Sequence, residues 1–298
     1  MLNQPAASLK ENPMKKKTSV RPANLDDAEE ICGLILRQFN NGIDRAAWRH
    51  LLENNWSNNE GEYGWVLEAK GGVVGFIGTV YSEREINGRR ERFCNLTTLC
   101  VDEGYRGMAL SLLTAAIRSA NCTVTSISPI PTVARLMKMM GFKSLDIGRI
   151  IYPPVMNAFG LMRGLPRFES RIEFIKPHIS QVLRQVINDH VPYGCLAVLI
   201  WSRGEQCLIL SKKRIKRGVP FSEILFVSSA ELFARHLEAV KWYIMAKQYT
   251  VAVMGDSRLF GKSRPCGILM RRPVLFRSAS VTPENIDNLY TELVLIPM

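Results

Sequence analysis

Apolar and polar residues follow two different periods along the first half of the chain. After a polar leader spanning residues 1–17, TSVRP reads as a short alternating strand. From Asn24 or Asp26, a natural cap with acidic residues behind it, NLDDAEEICGLILRQFN takes up the 3.6-residue period of an amphipathic helix. DRAAWRHLLENNW repeats that pattern beyond Asn40-Asn41-Gly42. The period then drops to two. YGWVLEAKGGVVGFIGTVYSE predicts two strands hinged at Gly71-Gly72, and RFCNLTTLCV a third beyond the Asn87-Gly88 turn, which together make an antiparallel meander. The third strand runs into VDEGYRGMALSLL, where Ala109, Leu112, Leu113, Ala116, Ile117 and Ala120 form the stripe of a buried helix. CTVTSISP predicts the next strand. PTVARLMKMMGF places Val133, Leu136, Met137 and Met140 on one helical face and stops at Gly141, and KSLDIGRIIY adds one further strand.

Regularity weakens in YPPVMNAFGLMRGLPRF, where prolines and glycines reach linker density. A junction at residues 153–171 therefore separates a first domain, 18–152, from a second, 172–298. The second is expected to hold a helix at 179–189, strands at 195–201 and 206–212, a strand in EILFVSS, a helix at 230–246 and a strand in TVAVMGD. The strand–turn–helix–strand unit from Asn95 to Ser128 matches in length the unit from Ser222 to Met254. A duplicated α/β fold with mixed sheets is the economical reading, and chance spacing of two such units is the alternative.

With 298 residues and 47% hydrophobic content, the chain has enough apolar material for two cores. No apolar run approaches the ~20 residues needed to cross a bilayer, so no transmembrane segment is expected. The basic cluster Lys15–Lys17 has no apolar core beside it, which argues against a secretory signal and for a cytoplasmic protein. The seven cysteines are odd in number and form no C-x-x-C, so free thiols are expected, with no metal site. A formal charge of +12 favours anionic ligands: nucleotide phosphates, acidic glycans, lipid headgroups or nucleic acid. Its densest run, SKKRIKR at Ser211–Arg217, reads first as a solvated hairpin tip and second as an anion patch. Nucleic-acid binding is the rival reading from another class. It lacks interleaved aromatics and a basic recognition helix, so a nucleic-acid partner is disfavoured. VMGDSR contains the Gly-Asp-Ser of a hydrolase turn, but none of His50, His178, His190 and His236 follows Ser257, and that chemistry is set aside.

The strand-to-helix turn at 101–113 is the strongest candidate for binding. A helix N-terminus offers unpaired N–H groups and partial positive charge to a phosphate. Gly107 lets a ligand approach closely, and Arg106 adds a planar cation. On CVDEGYRGMALSLL and PTVARLMKMMGF, in this order after a meander, the chain resembles the GNAT superfamily of acyl-CoA acyltransferases. The family pattern is Arg or Gln, two residues, Gly, one residue, then Gly or Ala. With its partial internal repeat the chain is similar to tandem GNAT proteins whose second half is degenerate.

The resemblance implies acetyl-CoA or another acyl-CoA as cofactor, with N–H groups of Leu99, Cys100 and Val101 facing the pantetheine and thioester. It implies a diphosphate held by Arg106, Gly107, Met108, Ala109, Leu110 and Ser111, where Ala109 and Ser111 depart from the pattern. It further implies transfer of an acyl group to an amine, with a small molecule or glycan precursor as partner, such as an amino-sugar or cell-envelope precursor. A non-catalytic acyl-CoA-binding protein is the alternative within the family. Many relatives carry a carboxylate on the strand before the turn and a tyrosine in the helix before Gly-Phe. Here those places read Cys94-Asn95-Leu96-Thr97-Thr98 and Met137. Asn95 and Thr98 are the candidate catalytic residues, able to contact the acceptor or merely to satisfy neighbouring backbone. Glu292, expected in a terminal strand, could approach from the second half, although a surface position is favoured.

Overall fold

The computed structural model describes residues 18–39, 42–53, 56, 63–145, 147–154, 164–216, 218–260, 267–271 and 273–296. The expected leader and the stretch 155–163 of the expected linker lie outside these residues.

The meander predicted from period-two patterning is present. The first sheet contains β1 (Thr18–Pro22), β2 (Gly64–Ala69), β3 (Gly72–Ile86), β4 (Arg89–Val101), β5 (Thr123–Ser126), β6 (Lys143–Leu145) and β14 (Val274–Arg277), in the order β1-β2-β3-β4-β5-β14-β6. Both faces are covered, because successive residues enter different cores. Val66 and Phe76 pack under α1 (Ala28–Gln38) and α2 (Arg45–Leu52), whereas their neighbours Leu67 and Ile77 pack under α3 (Ala109–Ala120) and α4 (Pro131–Met139). Asp44 starts α2 by accepting the Ala47 N–H at 2.8 Å.

The second sheet contains β7 (Gly148–Tyr152), β8 (Arg167–Glu169), β9 (Cys195–Ser202), β10 (Glu205–Lys216), β11 (Val219–Val227), β12 (Val253–Asp256) and β13 (Ile268–Arg271), in the order β13-β7-β12-β11-β10-β9-β8. After the short α5 (Ile172–Ile175), α6 (Gln181–His190) covers one face of it; α7 (Ala230–Arg235) and α8 (Leu237–Gln248) cover the other. The chain's last element, α9 (Glu292–Leu295), packs against the first lobe through Leu295 and Ile296.

The two sheets exchange strands. β14 lies between β5 and β6, antiparallel to both, and β7 lies between β12 and β13, again antiparallel to both. KSLDIGRIIY is therefore not one strand but two, β6 and β7, which serve different sheets. Tyr290 and Glu292 do not form the expected strand either: Tyr290 takes the left-handed conformation at φ 56°, and Thr291 caps α9.

The basic run also departs from expectation. Among the described residues of the run, Lys212 and Arg214 are buried and Lys213 and Lys216 are exposed; Lys213 parts from its two neighbours because successive residues of β10 point to opposite faces. Between the lobes, the Trp56 ring stacks on His190 at 5.4 Å and meets Tyr193 and Tyr290 edge-on. His190 is fully buried, and burial lowers its pKa to about 4. The six described cysteines are free. Among the described residues no helix is long and apolar enough to cross a membrane.

Candidate functional site

The first sheet contains one parallel pair, and that pair parts. β4 and β5 are in register only at Phe93–Thr123, Cys94–Val124 and Asn95–Thr125. Beyond Asn95 the two backbones diverge, which leaves the β5-facing edge of β4 without a strand partner among the described residues. A bulge bends β4 at this point: Gly78 faces Thr97 and Phe76 faces Cys100, so β4 uses one residue more than β3. Thr98 absorbs the extra residue at φ 51°, a conformation costly for a β-branched side chain. Such strain is about 1–3 kcal/mol and persists only where the surroundings enforce it.

A cavity of ≈ 170 Å³ occupies the fork. Thr97, Thr98 and Leu99 line it from β4, Ser126 and Ser128 from the β5 side, and Val133 and Met137 from α4. Phe39 and Trp48 close the far side. The walls are mainly apolar with a few convergent polar groups, the usual character of a small-molecule site. The Thr97 and Thr98 hydroxyls lie 3.1 Å apart. Trp48 Nε1–H is buried and has no hydrogen-bond partner among the described residues, an orphan donor on a residue that lines the cavity.

From Val101 the chain enters a 3₁₀ turn, Glu103–Met108, that leads directly into α3. Asp102 anchors it: its N–H donates to Val74 O at 2.8 Å and its carboxylate accepts from Gln38 at 3.0 Å. Within the turn, Tyr105 N–H donates to Asp102 O and Ala109 N–H to Arg106 O, so the turn itself uses part of its donor capacity. Among the described residues no side chain caps α3 at Met108. The outer face is open, since a Cβ placed on Gly107 would meet nothing within 4 Å. Arg106 is exposed, and its guanidinium stands 3.7 Å from the exposed Glu103 carboxylate, a loose surface pair.

The residues singled out from sequence therefore fall into four groups, of which Asn95 forms the last. Thr98 and Leu99 line the cavity. Arg106, Gly107 and Leu110 are exposed at the turn, with Met108, Ala109 and Ser111 half-buried beside them. Cys100 and Val101 are buried in opposite cores, and burial pushes the Cys100 thiol up to about 12, which removes it as a nucleophile at neutral pH.

Asn95 is buried and does not line the cavity. Its Oδ1 accepts from Thr125 Oγ1 at 3.2 Å, and its Nδ2 donates to Glu292 Oε2 at 2.5 Å. Glu292 is thus buried, 1% exposed, at the fork of the first lobe, and the surface position favoured from sequence is wrong. Its other oxygen, Oε1, accepts from Ser128 Oγ at 2.6 Å. Sequence reasoning missed Ser128 and Trp48 as well. Ser128 could have been noticed as a polar residue at the strand-ending Pro129, whereas Trp48 had only the signal of a core helix residue.

No family profile and no curated relative matches the sequence. Solved structures do match in three dimensions. A GCN5-related N-acetyltransferase from Kribbella flavida superposes with TM-score 0.58 at 13% identity, over 90% of this chain and 72% of that one. The GCN5-related glucosamine N-acetyltransferase region of a fungal GH3 β-N-acetylglucosaminidase gives TM-score 0.59 at 10% identity, over 91% of this chain and 39% of that one. Saccharomyces cerevisiae N-myristoyltransferase with bound myristoyl-CoA gives TM-score 0.52 at 10% identity, over 99% and 89%. At these identities the likeness shows the fold: two mixed seven-stranded sheets in a tandem, two-lobed GNAT-like arrangement.

Proposed function

We propose that the first lobe binds an acyl-CoA across the fork between β4 and β5 and transfers its acyl group to an amine. The observation that carries this reading is the continuity of the site. An apolar cavity between parting parallel strands lies just before an uncapped helix N-terminus whose outer face is open at Gly107. The residues fit such a cofactor. Arg106, Gly107, Met108, Leu110 and Ser111 would hold the diphosphate through the guanidinium and backbone N–H groups, with Ala109, whose own N–H is given to Arg106 O, leaving room beside them. The edge of β4 at Leu99, Cys100 and Val101 would face the pantetheine arm. A bound acyl-CoA supplies the activated carbonyl and a thiolate leaving group.

The chain supplies orientation and charge stabilisation. The unpartnered β4 edge and Trp48 Nε1–H offer donors for the oxygen on which charge develops during attack. Buried Met137 cannot protonate the departing sulfur. A thiol with a pKa near ~8.5 leaves as the thiolate without that help. For the acceptor we favour an amino-sugar or a related amine of a glycan precursor. The fungal glucosamine N-acetyltransferase region, which shares the fold, supports this choice. The non-catalytic alternative is separated by turnover. Incubation with acetyl-CoA and glucosamine, alongside a panel of other primary amines, is expected to release free CoA thiol and give an acylated product by mass spectrometry. Binding without release for every amine and acyl chain would support the binding-only reading.

A further inference from the structure

We propose that Glu292, carried into the first lobe by the last element of the chain, accepts the proton of the attacking amine through the hydroxyl of Ser128. This inference rests on the acyl-transfer reading and names the proton acceptor that β4 lacks. Residues 94–98 contain no carboxylate, yet one stands beside them in space. Glu292 is deeply buried, its two oxygens are bound by different partners, and only one partner reaches the cavity: Ser128 lines it, whereas Asn95 and Glu292 lie behind. The Ser128 hydroxyl donates to Glu292, which leaves its own lone pairs to accept from a group in the cavity.

The orientation is fixed on every side. Thr125 occupies Asn95 Oδ1 and so turns the amide N–H groups toward Glu292, making Asn95 a positioning residue. The second lobe holds α9 in place. Lys212 Nζ donates to Val294 O, and Arg214 Nη1 donates to Leu293 O at 2.8 Å and Ile296 O at 3.1 Å. The charged group that acts on Glu292 is Arg214 on β10, itself paired to Glu223 on β11 at 3.2 Å, while Lys212 meets α9 through Val294 O. Among the described residues Glu292 has no ion-pair partner of its own. A buried carboxylate is an expensive structural device, because a neutral amide could satisfy Asn95 through its oxygen and Ser128 through its N–H groups without desolvating a charge.

The step balances. As the amine nitrogen bonds to the acyl carbon, its proton passes to Ser128 Oγ and the serine proton passes to Glu292 Oε1. When the tetrahedral species collapses, the carbon–sulfur bond breaks and the thiolate takes the electron pair. After product departs, Glu292 returns its proton to water through Ser128.

The test uses the full chain with acetyl-CoA and the same amine panel, reading CoA release between pH 6 and 10 and acetyl-CoA binding by calorimetry. Glu292→Gln and Ser128→Ala are each expected to lower kcat by about 100-fold or more with an unchanged Kd for acetyl-CoA. The double variant is expected to fall little below either single one, because the two groups act as a unit. Residual activity in all three should climb with pH as the amine loses its proton to water, a profile that a purely structural role would not produce. Should Glu292→Gln fold poorly, Ser128→Ala reports on the same step. Activity within a few-fold of the unmodified chain in both single variants would overturn the relay, as would acetyl-CoA binding by the unmodified chain with no release to any amine. Failure of the unmodified chain to bind acyl-CoA would overturn the functional reading itself.

Discussion

Each lobe contains a parallel strand pair that parts after two or three rungs, but what stands beside the two pairs differs. In the first lobe β4 and β5 separate beyond Asn95, and the space is a cavity edged by threonines and serines. In the second, β11 and β12 pair only at Ser222–Val253 and Glu223–Met254 before separating. There Phe260, fully buried, packs its ring against Gly255, 4.5 Å from the Tyr152 ring and 5.5 Å from that of Phe233. The helix starts differ in the same sense. α3 begins without a side-chain cap, whereas Ser229 caps α7 by accepting the Leu232 N–H at 3.3 Å. The first lobe has a cavity at its fork, and the second uses its charges, Lys212 and Arg214, to hold α9. Degeneracy of the second lobe is thus a matter of plugging and capping, not of a lost fold.

The hardest test of that comparison is to remove the plug. Phe260→Ala should cost about 3–5 kcal/mol, the usual range for a fully buried phenylalanine, because Tyr152, Phe233 and Gly255 can close around the void only partly. Denaturant titration would measure the loss, and a single transition is expected because β7 and β14 tie the sheets together. Calorimetry on the variant should still find one acyl-CoA site; a second would show that the plug alone separates the lobes.

The contact between the lobes should be sensitive to acid. His190 titrates near 4 in the folded protein and about 6.5 when unfolded, so the unfolded chain binds the extra proton between those values. Its contribution is complete above pH 6.5 and is lost as pH falls toward 4, about 3 kcal/mol over the full window. Neighbouring Asp189, its pKa raised by burial, acts in the opposite sense and blunts the slope: its charged form is the costly one, so its term favours folding as the carboxyl protonates. Melting temperatures measured from pH 7 to 4.5 should fall more steeply for the unmodified chain than for His190→Gln; equal slopes would show that this ring does not report on the junction.

Ligand binding sharpens the contrast from the open side. Acetyl-CoA at ~100 times its Kd should stabilise the protein by about 2.7 kcal/mol. Arg106→Glu should abolish the thermal shift without altering the melting temperature of the free protein, since Arg106 is exposed and only loosely paired. An unchanged shift in that variant would move the diphosphate to another surface.

How much of this was legible in the sequence follows the reach of each interaction. The meander and the α3 stripe were readable because period-two and period-3.6 patterns are local, and Val66/Leu67 or Phe76/Ile77 display them in adjacent letters. The strand exchange was not, because β14 is four residues long and its partners, β5 and β6, lie more than a hundred residues away. Lys212 and Arg214 look solvated in a run of charges. The carbonyls of α9 and its C-cap Ile296, together with the buried Glu223 carboxylate beside Arg214, all brought close by tertiary packing, explain their burial. Glu292 was visible as an isolated acid in TELVLIP, but nothing local states that Asn95 and Ser128 will receive it.

The smallest expected effects come from two glycines and bear most directly on the comparison. An alanine Cβ at Gly255 would stand 3.1 Å from the Phe260 ring and 3.2 Å from Ile224 Cβ, inside a packed core with little room to give. Gly255→Ala should therefore destabilise by about 1–3 kcal/mol, the usual cost of overpacking, with no effect on acyl-CoA binding. At Gly107 the same methyl meets nothing within 4 Å, and the backbone does not require positive φ. Gly107→Ala should stabilise the free protein by about 0.4–1 kcal/mol by restricting the unfolded chain. The methyl would nonetheless stand where a diphosphate must approach, so acyl-CoA affinity should fall while the melting temperature rises. Opposite signs for stability and binding at Gly107, against a pure stability loss at Gly255, would distinguish a surface kept open for a ligand from one already occupied by the protein. If Gly107→Ala leaves affinity intact, the turn does not seat the cofactor, and the two lobes differ less than their forks imply.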